Sequence, residues 1–264
     1  MSGTALEVIE RRSLWRGARR WFPAVIALGF AAGVWQLIAI HNPLVLPTVS
    51  SVFARLAGQP GLFAKDAGAT LEEVAVGAAA AFAAAFVIAV AMSELPIVER
   101  AMMPLAVALN VTPVVAIAPA LTVMLGLSAT PRYVVAAIVA FFPFLINALV
   151  GLRSVDPAVL ELAQSLDASR AEVLWRVRLP SSLPFLFAGA RICLPLAVVG
   201  AVVAELTTSG PSTGLGYLIE SAESTYDLPE IFAAVLVLAV IGVALTVLLI
   251  LAERTLVARR RGQA

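Results

Sequence analysis

Few residues in this chain of 264 amino acids could carry out catalysis. The single histidine, His41, and the single cysteine, Cys193, provide too few soft ligands for a zinc or haem site and exclude an intramolecular disulfide. His41 or Glu205 acting with a neighbour would be the best case for an intramembrane enzyme, but no triad, paired-aspartate or H-E-x-x-H spacing occurs. No glycine is followed by lysine, so a G-x-x-x-x-G-K-[ST] phosphate loop is missing as well. The residue types argue against an enzyme and against ATP hydrolysis by this chain.

The most unusual polar stretch is "ELAQSLDASRAEVLWRVRLPSSLP", residues 161–184, in a chain that is 61% hydrophobic. Just before it, Asp156 and Pro157 predict a helix start, with a capping carboxylate followed by proline at the first helical position. We expect this helix to break near Asp167, because aspartate tolerates the left-handed conformation that a sharp turn needs.

A second helix is predicted directly after that turn. Ser169 and Glu172 have the spacing of a capping box, in which each side chain accepts from the other's backbone N–H. We expect this helix to end before Pro180, since the residue before a proline is pushed out of helical geometry. Two short helices joined by a tight turn favour a docking element, and an ordinary solvated loop is the alternative.

Composition identifies the class of protein that must position this segment. Only 13% of the residues are charged, about half the share of a typical soluble domain. Six apolar stretches approach or exceed the roughly 20 residues that a helix needs to cross a bilayer. They are 22–41, 72–93, 101–127, 132–152, 184–206 and 231–252. We therefore expect an all-α polytopic membrane protein, embedded in the lipid bilayer as a single transmembrane domain over 1–264.

The distribution of basic residues predicts the topology. An even number of spans puts both termini on one side, and the first stretch is too long for a cleaved signal peptide. With both termini in the cytoplasm, 14 arginines lie in internal segments and three basic residues lie outside, with Arg191 in or near a span. This orientation predicts a cytoplasmic tail (1–21), a cytoplasmic loop (153–183) and an external loop (205–230).

Polar residues and prolines interrupt several of the predicted spans. Proline frees backbone groups that protein or water must satisfy, and polar side chains at depth point inward. We therefore name five candidates for lining or gating a pathway: Asn110, Pro113, Asn147, Arg191 and Glu205. Interhelical packing is an equal alternative for the two asparagines, and Arg191 could instead extend its charge to the cytoplasmic interface. The alanine-rich second span predicts close helix packing.

The predicted external loop is acidic. It contains five acids and no lysine or arginine: Glu205, Glu220, Glu223, Asp227 and Glu230. Such a field would repel an anion that arrives at the mouth of a pathway. Alternatively, these acids contact basic residues of a partner protein.

The polar stretch resembles a known signature. "ELAQSLDASR" followed by "RLP" is similar to the EAA motif of permease subunits in ATP-driven, binding-protein-dependent (ABC) importers. The matching residues are Glu161, Ala163, Ala168, Ser169, Leu179 and Pro180. The phrases "LPTVSSVF", "VAIAP", "FFPFLINALVGLRSVDP", "VVAEL" and "GLGYLI" extend the resemblance over nearly all of residues 40–255, to the nitrate, sulfonate and taurine branch.

The chain departs from the family pattern at three places. Leu162 stands where the motif has alanine, and Asp167 stands where it has glycine. Glu72 and Glu73 stand where relatives carry an arginine nearby, so the local charge is reversed.

The resemblance implies a type I ABC importer permease fold in the bacterial inner membrane. It implies that the motif seats on a cytoplasmic ATPase, with roles for Glu161, Ala163, Asp167, Ser169, Arg170 and Pro180. The expected assembly has two identical permease subunits, two ATP-binding subunits and an extracytoplasmic substrate-binding protein, with no nucleic acid. ATP and magnesium would bind the ATPase, and this chain would hold no cofactor.

Two further alternatives concern mechanism and cargo. An ion-coupled secondary transporter would favour inverted repeats, and no convincing internal repeat is present. The phrases "VAIAP" and "FFPFLINALVGL" are closer to the subgroup that handles pyrimidine vitamin precursors or riboflavin. A small, neutral or weakly charged heterocyclic nutrient is therefore the expected cargo, with nitrate, an alkanesulfonate or taurine as the alternative.

Overall fold

The computed structural model describes residues 22–23, 26–208 and 210–261, with side chains described as far as residue 255. The helices are α1 (Ile26–His41), α2 (Val49–Gly58), α3 (Pro60–Glu94), α4 (Pro96–Val111), α5 (Val114–Leu125), α6 (Thr130–Leu152), α7 (Pro157–Ser165), α8 (Arg170–Val173), α9 (Leu179–Thr207), α10 (Leu215–Ser224) and α11 (Leu228–Arg261). No strand occurs among the described residues, and the predicted all-α class is confirmed.

Long apolar helices dominate the chain. Four helices are long and apolar enough to cross a membrane: α3, α6, α9 with the segment before it, and α11. The bent pair α4 and α5 would make a fifth span. The predicted first span, 22–41, is helical from Ile26 to His41 but falls partly on residues outside the described ones, as does the predicted tail 1–21. The multi-pass prediction is confirmed.

The core lies where α3, α6 and α9 pack against one another. Small side chains make this packing close: Ala85, Ala140 and Ala197 are fully buried, one from each helix. A Cβ atom added to Gly77 of α3 would lie 2.7 Å from the Cβ of Ala136 in α6. The close packing predicted from the alanine-rich second span is therefore confirmed, and it follows the small-residue rule for membrane helices.

The predicted third span, 101–127, is not one helix. It divides into α4 and α5, whose axes differ in direction by 100°. The break falls at Thr112 and Pro113. Pro113 has no N–H with which to continue the hydrogen-bond ladder to Leu109, so the helix ends there.

Charged side chains mark one end of the bundle. Arg153 follows the last turn of α6 and pairs with Glu99 of α4 at 2.6 Å. Arg178, just before α9, pairs with Glu94 at the end of α3 at 2.9 Å.

A second charged group lies at the opposite end. Arg132 is in the first turn of α6, 21 positions before Arg153, and pairs with Glu73 of α3 at 3.2 Å. Arg55 of α2 pairs with Glu230 in the first turn of α11. The structure thus separates the arginines assigned to the cytoplasm from those assigned to the exterior.

Candidate functional site

The first half of the loop predicted to be cytoplasmic, residues 153–183, is a capped helix. Asp156 precedes α7, and its Oδ1 accepts from the Ala158 N–H at 2.9 Å. Pro157 occupies the first helical position, where its missing N–H breaks no helical bond. The predicted helix start is confirmed.

The turn after α7 has the hydrogen bonds of a Schellman motif. The Asp167 N–H donates to the Gln164 carbonyl at 3.0 Å, and the Ala168 N–H donates to the Ala163 carbonyl at 3.0 Å. This motif needs a left-handed residue at its centre, and Asp167 has φ 53°. The predicted left-handed turn is confirmed. The geometry also explains the spacing of the motif, because Ala163 and Ala168 are its two bonded ends.

The second short helix begins with the predicted capping box. The Ser169 Oγ accepts from the Glu172 N–H at 3.3 Å, and Glu172 Oε2 accepts from the Ser169 N–H at 3.0 Å. Because the capping box satisfies two of the orphan donors at this helix start with side chains three residues apart, the start of α8 is determined locally.

The predicted end of this helix before Pro180 is wrong. After α8 the chain continues through a π-helical segment, Leu174–Arg178, directly into α9. The Leu179 N–H donates to the Leu174 carbonyl five residues back, and Pro180 lies in the first turn of α9. The wider π turn accommodates a proline, which would clash with a carbonyl in a tighter helix. The loop is therefore joined to α9 without a break.

Two arginines attach this loop to the bundle at its ends. Arg153 makes a two-pronged contact with Glu99, at 2.9 and 2.6 Å, and donates to the Met92 carbonyl at 3.0 Å. Arg178 donates to Glu94 at 2.9 Å. Both pairs are partly exposed to solvent, so each contributes on the order of 0–1 kcal/mol.

Between these attachments the loop projects from the bundle. The helix α7 packs extensively against none of the other described helices. Its apolar side chains are open to solvent: Leu162 is 60% exposed and Leu166 is 74% exposed, and Trp175 beyond the turn is 67% exposed. Exposed large apolar side chains on a projecting, well-capped element are typical of a protein–protein contact.

The structure brings most of the predicted coupling residues together. Ala163, Asp167 and Ser169 belong to the turn, and Glu161 and Arg170 flank it with exposed side chains. Arg170 also lines a cleft of about 300 Å³ between this turn and the end of α3. Pro180 lies apart from the turn, at the start of α9.

Two of the five pathway candidates lie together at the α4–α5 bend. Asn110 and Pro113 are both exposed, as is Thr112 between them, whose hydroxyl donates to the Ala108 carbonyl at 2.7 Å. Asn110 is fourteen residues past Pro96, so about 21 Å of helix separates the bend from the start of α4. The bend therefore exposes polar groups and two helix ends on the surface of the single chain.

The other three candidates lie elsewhere. Asn147 donates to the Pro143 carbonyl at 2.8 Å and packs against Gly189 of α9, as the interhelical alternative expected. Arg191 forms an ion pair with Glu253 of α11, so a carboxylate of a neighbouring helix compensates its positive charge.

Glu205 does not face an open surface in this structure. It is fully buried, accepts from the Thr70 hydroxyl at 2.7 Å and accepts from the Gly216 N–H at 2.5 Å. It therefore ties α3 and the start of α10 to the end of α9.

Sequence reasoning missed the buried polar cluster around Glu205. Arg132 is 1% exposed and donates to Glu73, to the Pro211 carbonyl at 2.8 Å and to the Thr213 carbonyl at 2.9 Å. The sequence held one indication of this cluster: Glu73 and Arg132 have opposite charges and lie in the first turns of two predicted spans, both on the predicted external side. This cluster holds the described part of the loop between α9 and α10 against the bundle.

Comparison with known proteins identifies the fold. Residues 76–262 match the family described as the binding-protein-dependent transport system inner membrane component. The chain belongs to this family. It is therefore a permease subunit of an ABC importer and a multi-pass protein of the bacterial inner membrane. The permease is not itself an enzyme, and an ATP-binding subunit and a substrate-binding protein are its partners in import.

Its relatives differ in the cargo that their names give. The permease is 32% identical over 213 residues to the formylaminopyrimidine transport permease protein of Halalkalibacterium halodurans, covering 80% of this chain and 84% of the relative. It is 42% identical over 159 residues to the riboflavin transport system permease protein of Chloroflexus aurantiacus, covering 60% and 59%. It is 30% identical over 245 residues to the taurine transport system permease protein of Escherichia coli, covering 88% of each.

We expect substitutions at Asp167 to distinguish the effect of the left-handed backbone turn from the effect of the carboxylate side chain. Asp167→Gly should preserve transport and raise the unfolding free energy by up to about 1 kcal/mol, because glycine adopts positive φ without a Cβ clash. Asp167→Val should impair transport and lower the unfolding free energy by roughly 1–2 kcal/mol, because a β-branched residue fits this conformation poorly. Substrate uptake and the thermal unfolding midpoint are the measurements.

Gln164→Val provides the matched control, since it adds the same side chain one turn earlier in α7. It should leave uptake nearer to wild type than Asp167→Val does. Equal uptake by the glycine and valine variants at 167 would show that the left-handed turn does not matter for transport.

Proposed function

We propose that two copies of this permease form the translocation pathway of an importer of a small heterocyclic nutrient, and that residues 153–183 couple it to two copies of the ATPase. The observation that carries the proposal is the projecting helix–turn–helix of α7 and α8, with its Schellman turn, capping box and exposed apolar side chains. ATP and magnesium would bind the ATPase, and the permease would act as one transmembrane unit without a cofactor of its own.

The connections of the loop support a mechanical role. A displacement of α7 reaches α8 through a hydrogen-bonded turn and reaches α9 through the uninterrupted π-helical segment Leu174–Arg178. Packed helices that move as rigid bodies are a common means of transmitting such a shift. The Arg153–Glu99 and Arg178–Glu94 pairs are weak enough, at partly exposed positions, to rearrange during the movement.

Cross-linking tests the coupling contact. The only native thiol, Cys193, is fully buried, so one cysteine can be introduced at a time. Arg170→Cys should form an adduct with the ATPase in membranes that contain the complete transporter. Val240→Cys, which is 60% exposed on α11, is the control and should form none. Absence of an adduct from Arg170→Cys would contradict docking at the turn.

The α4–α5 bend supports a pathway between two copies. Non-helical backbone at membrane depth is tolerated only where protein covers it or water reaches it, because lipid offers no hydrogen bonds. In this single chain Asn110, Thr112 and Pro113 are uncovered. A second copy facing this bend, with the aqueous pathway between the two, meets that requirement.

Thiol labelling tests the pathway. Asn110→Cys should react with a membrane-impermeant thiol reagent in at least one nucleotide state, because water must reach the bend. Val240→Cys should remain unreactive, since it lies on an apolar face of α11 that lipid can cover. Glu205→Cys, at a position that is fully buried in this structure, should react less than Asn110→Cys. Failure of Asn110→Cys to react in every state would exclude this bend from the pathway.

The surface beside the bend supports an uncharged cargo. A groove of about 320 Å³ lies between α3, α4 and α6, and its lining includes Tyr133, Phe141, Leu109 and alanines of α3. None of the lining residues is charged, so an oxyanion would find no counter-charge there, whereas a planar ring can contact the two aromatic side chains. The relatives named for formylaminopyrimidine and riboflavin agree with this choice, and the taurine relative supports the oxyanion alternative.

Ligand screening of the partner binding protein tests the cargo. A ligand that binds only the folded state raises the free energy of unfolding, by about 2.7 kcal/mol at a concentration 100 times Kd. The thermal unfolding midpoint rises with it. We expect stabilisation by a pyrimidine or a flavin and none by nitrate or alkanesulfonates. The reverse pattern would replace the heterocycle with an oxyanion.

A further inference from the structure

The turn that ends α10 repeats the Schellman motif, with an unusual residue at its centre. The Tyr226 N–H donates to the Glu223 carbonyl at 3.1 Å, and the Asp227 N–H donates to the Ala222 carbonyl at 2.9 Å. Tyr226 occupies the left-handed position with φ 58°. Glycine is the residue that this position favours, because any Cβ is strained there.

Interior packing does not explain the tyrosine. Its side chain is 89% exposed, and no described residue forms a hydrogen bond with its hydroxyl group. A strained backbone that presents an unburied aromatic ring stabilises nothing within the described part of the chain. Such outliers cluster at functional sites, where a partner uses the side chain.

The ring stands beside an apolar depression at the end of the bundle. A cavity of about 460 Å³ is lined by residues of the α1–α2 connection, the start of α2 and the start of α11: Pro43, Leu44, Leu46, Pro47, Thr48, Ser51, Tyr226, Leu228 and Pro229. We call this set the outer patch. Leu44 is 91% exposed and the adjoining Val45 is 74% exposed. Large apolar side chains gathered around a depression are typical of an interaction site.

The charges around the outer patch are acidic. Asp227 and Glu230 share a single basic partner, Arg55, at 2.8 Å for Asp227, so their charge is only partly neutralised. Glu220 and Glu223 are exposed on α10 and form no ion pair with the described residues. The acids of α10 and of the start of α11 therefore exceed the one arginine that pairs with them, and this net negative charge beside Tyr226 disfavours anionic lipid headgroups and favours a protein with basic residues.

We infer that the outer patch is the docking surface for the extracytoplasmic substrate-binding protein, with Tyr226 as its aromatic anchor and Glu220 and Glu223 facing basic residues of the partner. An apolar centre with an aromatic anchor and a polar rim is the usual anatomy of a protein interface. The inference rests on the import function proposed above and on the orientation that places Arg55 outside.

The test replaces the anchor with the residue that the turn prefers. Tyr226→Gly removes the ring and the backbone strain together, so the thermal unfolding midpoint of the complete transporter should stay equal or rise. Affinity for the purified, ligand-loaded binding protein, measured with the transporter in nanodiscs without nucleotide, should fall at least tenfold. Val240→Ala is the control: it removes an exposed apolar side chain of α11 that does not line the outer patch, and it should leave this affinity unchanged.

Charge reversal tests the rim independently. Glu220→Lys combined with Glu223→Lys should lower the affinity at low salt, and the difference from wild type should shrink at high salt because ions screen exposed charges. Unchanged affinity of Tyr226→Gly, or a fall in its unfolding midpoint together with lost binding, would overturn the inference. If the wild-type transporter binds no binding protein, the proposed import function fails, and the docking surface fails with it.

Discussion

Lipid offers the backbone no hydrogen-bond partners, and this constraint governs the arrangement of the permease. The helices α3, α6 and α9 satisfy it by remaining continuous and packing through alanine and glycine, even though α9 contains Pro184 and Pro195. Where the ladder does fail, at the α4–α5 bend, the polar groups lie on an open surface of the single chain. The polar groups of this one element therefore need a partner that the other described helices of the single chain do not supply.

Charged residues hold the two ends of the bundle with different strength. At the end that holds Arg132, the Arg132–Glu73 pair is buried, and removal of one partner from such a buried pair typically costs 3–5 kcal/mol. At the inner end, Arg153 and Arg178 form partly exposed pairs that are far weaker. The loop between α9 and α10 is therefore held by buried bonds, while the loop 153–183 is attached only by partly exposed pairs.

One turn geometry serves both ends of the molecule. At Asp167 and at Tyr226, a helix ends in a Schellman motif whose central residue is not glycine. Aspartate tolerates the left-handed conformation fairly well, whereas the bulky tyrosine does so at a larger cost and buries nothing in return. The first turn joins α7 to α8 in a compact element, and the second leaves an aromatic ring exposed on the surface.

The sequence by itself determined the features that depend on neighbouring residues. These are the long apolar helices, the caps at Asp156 and Ser169, and the left-handed turn at Asp167, all of which arise from contacts within about five residues. Only the tertiary structure decided the rest. The 100° bend, the π-helical passage through Pro180 and the burial of Glu205 depend on neighbouring helices, and the Thr70–Glu205 bond joins residues 135 positions apart. Local propensity carries no information about which distant side chain will satisfy a buried charge, because folding alone brings the two together.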